Sequence, residues 1–220
     1  MRRRARGMMH SEAVAALGEA ELHASPMRLF AAVVPSTPAI AELAAEVGQL
    51  RAALPERDRG RLRWTEPALW HFTLAFLGEV DESLLPELGE RLARAAHRHP
   101  VHELRFAGGG RFGDRVLWVG VTGSLETLGG LAHSTRAGAR RAGVNMTDSK
   151  PFHPHLTLAR AAGHVNLRPY AEELAEFRGR KWWVERVDLV RSHLPASGVA
   201  GERPRYEIVA SWPLGTRRAG

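Results

Sequence analysis

Apolar and polar positions alternate along the chain in short runs, separated by longer stretches with helical spacing. Residues 28–34 (RLFAAVV) read as a strand. Ser36 or Thr37 ahead of Pro38 then marks a helix start, followed by Ile40, Leu43, Ala44, Val47 and Leu50 at helical intervals. Residues 62–64 and 70–77 read as strands, and Asp81 can cap a helix bearing Leu84, Leu85, Leu88, Leu92 and Ala96, with Pro86 in or near its first turn. The second half repeats the theme: strands at 102–107 and 116–121 around a glycine turn at 108–110, then a helix after Ser124 carrying Leu125, Leu128, Ala132 and Ala139. A strand at 154–159 and a short helix within 166–177 follow. Residues 182–191 and 206–212 close the chain as two strands, separated by the Pro/Gly/Ser-rich loop 193–204. This order predicts an α+β fold of two similar lobes. A doubly wound sheet would need regular strand–helix–strand crossovers.

Composition sharpens the picture at the ends. Residues 1–26 open with Arg2, Arg3, Arg4 and Arg6, and the apolar positions that follow are interrupted by Glu12, Gly18, Glu19 and Glu21, unlike a secretory signal. They are expected to be a disordered extension or an upstream start, with one domain over residues 27–214 and a flexible basic tail at 215–220. No stretch reaches the roughly 18 apolar residues of a membrane span. The 220 residues carry a formal charge of +7, which becomes +4 once the leader's net +1 and the tail's +2 are set aside. A surplus of that size is too moderate to point to a broad nucleic-acid platform. The chain has no Cys and 11 His. Disulfides, thiolate zinc sites and Cys nucleophiles are therefore excluded, the composition is compatible with a cytoplasmic location, and imidazole is left to carry near-neutral chemistry.

One tetrapeptide occurs twice, as His71-Phe72-Thr73-Leu74 and His155-Leu156-Thr157-Leu158. Each copy lies in a strand-like run, so alternation places His71 and Thr73 on one face and His155 and Thr157 on one face, with Phe72, Leu74, Leu156 and Leu158 turned to the core. If the lobes are related by an approximate two-fold, the polar faces oppose one another across a cleft. An imidazole with an ordinary pKa of about 6.5 acts as base when neutral and acid when protonated, so a pair can move protons at both ends of a phosphoryl displacement. The threonine hydroxyls can donate hydrogen bonds to non-bridging phosphoryl oxygens.

With these motifs the chain resembles the two-histidine (2H) phosphoesterase superfamily, in its branch of RNA 2′,3′-cyclic phosphodiesterases, also called 2′-5′ RNA ligases. The resemblance spans residues 27–214 and rests on MRLFAAVVP, LRW before HFTLAFLGEVDE, GGRFGDRVLWVGV, PFHPHLTLAR and YEIVASWPL, in family order. It implies a bilobal fold with a pseudo-two-fold cleft, no cofactor, and metal-independent hydrolysis of a 2′,3′-cyclic phosphate on RNA ends or small nucleotides to a 2′-phosphate. It further implies His71 as proton donor, His155 as proton acceptor, and Thr73 and Thr157 as phosphate-binding residues. Arg160 matches a family arginine near the substrate, although strict alternation places it on the face opposite His155 unless a strand end or bulge turns it inward. His153 stands where the family often has arginine, and Phe72 where leucine is common. A complete two-lobed cleft would let a monomer work, and ligation is expected only as a weak side activity.

Two other readings fit parts of the pattern. His153 and His155, with His71 as a third ligand, could hold a metal in a metal-dependent phosphohydrolase; against this, neither motif carries Asp or Glu and Pro154 interrupts the pair. A non-catalytic RNA-end-binding module could stack bases on Phe112, Phe152 and Tyr206. Rings in strands usually pack inward, as is expected of Trp64, Trp118, Trp182, Trp183 and Trp212.

Overall fold

The computed structural model describes residues 26–146, 150–194 and 204–216. The expectations for the leader at 1–25, the loop at 195–203 and the tail at 217–220 lie outside the described residues. The chain runs β1 (Met27–Val33), α1 (Thr37–Ala52), β2 (Leu62–Trp64), β3 (Phe72–Val80), α2 (Leu85–His97), β4 (His102–Phe112), β5 (Val116–Gly123), α3 (Leu125–Arg141), β6 (Leu156–Ala161), α4 (Arg168–Glu173), β7 (Arg178–Val184), β8 (Arg186–His193) and β9 (Arg205–Pro213). The strands form two antiparallel sheets, β3-β1-β8-β9 and β2-β6-β5-β4-β7. The α+β class expected from the element order is present, and the two expected lobes correspond to the two sheets. The halves are interleaved, however: β2, from the first half, sits in the second sheet, and β8 and β9, from the second half, complete the first.

Local sequence explains the helices. α1 carries Pro38 in its first turn and buries Ala39, Leu43, Val47 and Leu50 as one stripe. Asp81 accepts a hydrogen bond from Ser83 N at 2.8 Å, so it caps the 3₁₀ turn Glu82–Leu84 that leads into α2. Exposed Glu87–Arg91 and Glu90–Arg94 pairs line the outside of α2. α2 crosses α3 at Gly138, where a Cβ would sit 3.3 Å from the Arg91 carbonyl oxygen. α1 packs on β7, α3 on β3, α2 on β9 and α4 on β4.

Two expected features differ. The glycines at 108–110 do not make the turn; β4 runs through them to Phe112 with a register shift between Phe106 and Gly109. Their reason is close packing: a Cβ on Gly109 would lie 2.5 Å from Leu174 Cβ, and one on Gly110 would overlap the Trp118 ring. The turn falls later, at Gly113 with φ +54°. The run 182–191 is two strands rather than one. It breaks at Glu185, with β7 on the edge of the second sheet and β8 central in the first.

One large core joins the walls, beside a small separate cluster of Phe30, Ala32 and Val190. Phe72 of β3 packs on Phe106 of β4 and Trp182 of β7, with centroids 5.9 and 6.0 Å away. Gly215 is held by a bridge to Pro100, with its N–H donating to His99 O at 2.8 Å. Among the described residues no helix is long and apolar enough to cross a membrane.

Candidate active site

His71 and His155 each stand one residue before a strand, at the mouths of β3 and β6. In both, the neighbours of opposite parity anchor the strand: Trp70, Phe72 and Leu74 are buried on one wall, Leu156 and Leu158 on the other. His71, Thr73, His155 and Thr157 are half-buried and line one cleft of about 800 Å³ between the two sheets. The structure thus brings together the four motif residues singled out by the sequence.

The two histidines are held in the same way. His71 Nδ1 lies 2.7 Å from the Leu69 carbonyl oxygen and His155 Nδ1 lies 2.8 Å from that of His153. A carbonyl oxygen can only accept, so each Nδ1 carries the hydrogen and donates it, leaving Nε2 as the nitrogen available for proton transfer. Their surroundings differ. His71 stacks on Phe30 at 4.7 Å and 28° and meets Tyr206 edge-on at 5.5 Å. His155 meets Phe112 edge-on at 4.7 Å. Burial pulls both imidazoles below the ordinary value of 6.5, opposed in each case by the carbonyl bond. His155 adds a smaller downward push on His71, and His153 and Arg160 do the same to His155.

Arg160 lines the cleft, against strict alternation. The cause is a register shift in the β5–β6 ladder: Trp118 pairs with Thr157 and Leu117 with Ala159, leaving Leu158 unmatched. Leu158 and Ala159 are then both buried, and the side-chain phase flips so that Arg160 returns to the Thr157 side. The same device occurs in β3. There Ala32 pairs with Thr73 and Ala31 with Ala75, Leu74 is skipped, and Phe76, 52% exposed, comes round to the cleft. The repeat is therefore six residues long, His-x-Thr-Leu-Ala-x, ending in Phe76 on one wall and Arg160 on the other.

Several expectations need correction or addition. His153 does not line the cleft. Its exposed ring packs edge-on against Trp118 at 4.9 Å, and it serves His155 through its backbone carbonyl. Phe112 and Trp183 are 40% and 39% exposed rather than core, and Trp118 and Trp212 are half-buried, whereas Trp64 and Trp182 are buried as expected. Phe152 is half-buried against the core. Phe30, Phe76 and Arg63 also line the cleft and were not singled out by the motif. The continued match of Thr-Leu-Ala after each histidine is the signal that points to Phe76. Among the described residues no group of three or more His, Asp or Glu side chains is placed to hold a metal ion.

A family model described as the 2′-5′ RNA ligase superfamily matches residues 38–195. An Aeropyrum pernix protein named RNA 2′,3′-cyclic phosphodiesterase is 36% identical over 150 residues, covering 67% of this chain and 84% of that one. A Geobacillus stearothermophilus protein of the same name is 29% identical over 172 residues, 76% of this chain; the chain spans about half of that relative's length, 51%. Among solved structures, Escherichia coli LigT complexed with 3′-AMP superposes with a TM-score of 0.65 at 25% identity, covering 87% of this chain and 99% of that one.

Proposed function

Because the chain belongs to the 2′-5′ RNA ligase superfamily, we propose that it is an RNA 2′,3′-cyclic phosphodiesterase that opens the cyclic phosphate with paired histidines and without a metal ion. The observation that carries this reading is the matched pair of imidazoles in one cleft, each with Nδ1 tied to a carbonyl and each two residues from a threonine. His155 Nε2 takes a proton from water as the water oxygen attacks phosphorus. The P–O3′ bond breaks, and His71 Nε2–H supplies the proton to the departing 3′ oxygen, leaving a 2′-phosphate. Thr73 and Thr157 donate hydrogen bonds to the non-bridging oxygens, and Arg160 offsets their charge.

Burial of both rings suits the base, which is neutral as required. The acid must hold its proton against that same burial, and the anionic substrate favours this by placing negative charge beside it. If a ribose 5′-hydroxyl takes the place of water, the same proton transfers form a 2′-5′ linkage, which agrees with the family's name. The exposed Phe76 ring offers a surface for a nucleobase, in keeping with the nucleotide bound by the Escherichia coli neighbour. The walls of the cleft come from one chain, which supports action as a monomer.

The test is incubation with a 2′,3′-cyclic nucleotide after exhaustive chelation, with the product isomer identified. Undiminished hydrolysis to the 2′-phosphate is expected. A 3′-phosphate reverses the assignment of acid and base, and loss of activity restored by zinc overturns the metal-free reaction. A non-catalytic binder would give no product in either condition.

A further inference from the structure

In the short β2–β6 ladder Arg63 stands directly opposite Arg160, and both side chains are exposed and line the cleft. Like charges facing each other across an antiparallel pair are destabilising. Among the described residues neither arginine has a carboxylate within ion-pair reach, although exposed arginines elsewhere pair with glutamates. Glu66 lines the same cleft but is not within ion-pair reach of either, so two guanidiniums kept together on a concave surface form a receptor for an anion, whose oxygens can accept from both.

Position says which anion. Arg160 lies close enough to influence both His155 and Tyr206, so it borders the reacting centre. Arg63 is one strand further out, about 4.8 Å away in the sheet direction, on the edge strand β2. The basic pair thus leads away from the histidines. A cleft of about 800 Å³ lies toward the upper end of the range of about 300–1,000 Å³ for small-molecule sites, with room for more than a cyclic phosphate and its sugar.

We propose that Arg63, together with Arg160, holds a second phosphate of the substrate, the one on the 5′ side of the nucleotide whose cyclic phosphate lies between His71 and His155. The inference rests on the cyclic phosphodiesterase reading of the cleft and deepens it. It makes Arg63 a specificity-determining residue that favours 5′-phosphorylated ends and RNA chain ends over a cyclic nucleotide with a free 5′-hydroxyl.

The experiment compares kcat/KM for a 2′,3′-cyclic nucleotide with a free 5′-hydroxyl, the same nucleotide carrying a 5′-phosphate, and a dinucleotide ending in a cyclic phosphate. The 5′-phosphorylated substrate and the dinucleotide are expected to be favoured by about tenfold or more, mainly through KM, as befits a charge-assisted contact. That ratio should fall to within about threefold in Arg63→Gln and be partly kept in Arg63→Lys. A gain confined to the monoester assigns the site to free nucleotides, and an equal gain with the dinucleotide assigns it to RNA. Equal rates in the wild type, or a ratio unchanged in Arg63→Gln, overturn the proposal.

Calorimetric binding of adenosine 2′-phosphate and adenosine 2′,5′-bisphosphate needs no turnover and keeps the two readings apart. Tighter, Arg63-dependent binding of the bisphosphate without hydrolysis of any cyclic substrate keeps the second phosphate site and removes the cyclic phosphodiesterase reading. Equal binding of the two removes the phosphate site, whatever the enzyme hydrolyses.

Discussion

The two motif strands, β3 and β6, share a frame and differ in what the frame presents. Each begins after a carbonyl-tied histidine, carries a half-buried threonine two residues on, slips register at a leucine, buries the next alanine, and returns the following residue to the cleft. On β3 that residue is Phe76, and the neighbouring surface is aromatic, with Phe30 and Tyr206 enclosing His71. On β6 it is Arg160, with Arg63 opposite, and His155 is enclosed from one edge by a partly exposed Phe112. The difference is one of surface chemistry: a common geometry places two imidazoles and two hydroxyls, while the repeat ends in an aromatic ring on one wall and a guanidinium on the other.

The largest effect that could break this comparison is loss of either imidazole. His71→Ala and His155→Ala should each lower kcat by about 10²–10⁴-fold with nucleotide binding largely kept. Wild-type turnover by either variant removes the paired mechanism. Next, Phe30 and Phe112 both touch a motif histidine, yet Phe30 is 5% exposed and Phe112 40%. Urea unfolding should show Phe30→Ala costing about 3–5 kcal/mol and Phe112→Ala under about 1 kcal/mol. Equal costs would mean that the two histidine pockets are alike after all.

A smaller effect separates the two residues at the end of the repeat. Arg160→Ala should weaken kcat/KM by about 1.5–3 kcal/mol on every cyclic phosphate, including one on a ribose without a base. Phe76→Ala should cost about 1–3 kcal/mol only when a base is present. An equal loss with the baseless substrate would show that Phe76 serves the fold rather than the ligand.

The smallest effect is in pH. The proposed mechanism requires His71 protonated and His155 neutral, and burial lowers both, so both limbs of the kcat/KM bell should lie on the acid side of about 6.5. Residual activity in His71→Ala should lose the alkaline limb, and in His155→Ala the acid limb. The same burial has a stability consequence. Unfolded imidazoles take up protons before folded ones, so unfolding free energy should fall as pH drops below about 6.5, measurable by chemical denaturation.

Much of this was legible in the chain because strand alternation and the repeated tetrapeptide report the same thing, one polar face per motif. The histidine and threonine positions follow from parity alone. The inward return of Arg160 and Phe76 does not, because the residues at the slip are Leu-Ala in both copies, and two adjacent apolar residues look like ordinary strand. The change of sheet at Glu185 is hidden for a similar reason: no Gly or Pro marks it, and buried residues continue on both sides. The glycines at 108–110 misled in the opposite direction. They serve contacts with Leu174, distant in sequence, and with Trp118 on the next strand, and nothing in the glycine run itself distinguishes that from a turn.

The interleaving of the sheets reaches beyond the cleft. The chain visits the first sheet with β1, the second with β2, the first again with β3, the second with β4 to β7, and returns to the first with β8 and β9. Cutting after α3 would leave one piece with β1 and β3 but without β8, the central neighbour of β1, and with β2 deprived of β6, its strand partner. Neither wall could be made from either piece. The molecule should therefore fold and unfold in one concerted step, gated by pairings between its two ends, and resist being divided into separately expressed halves.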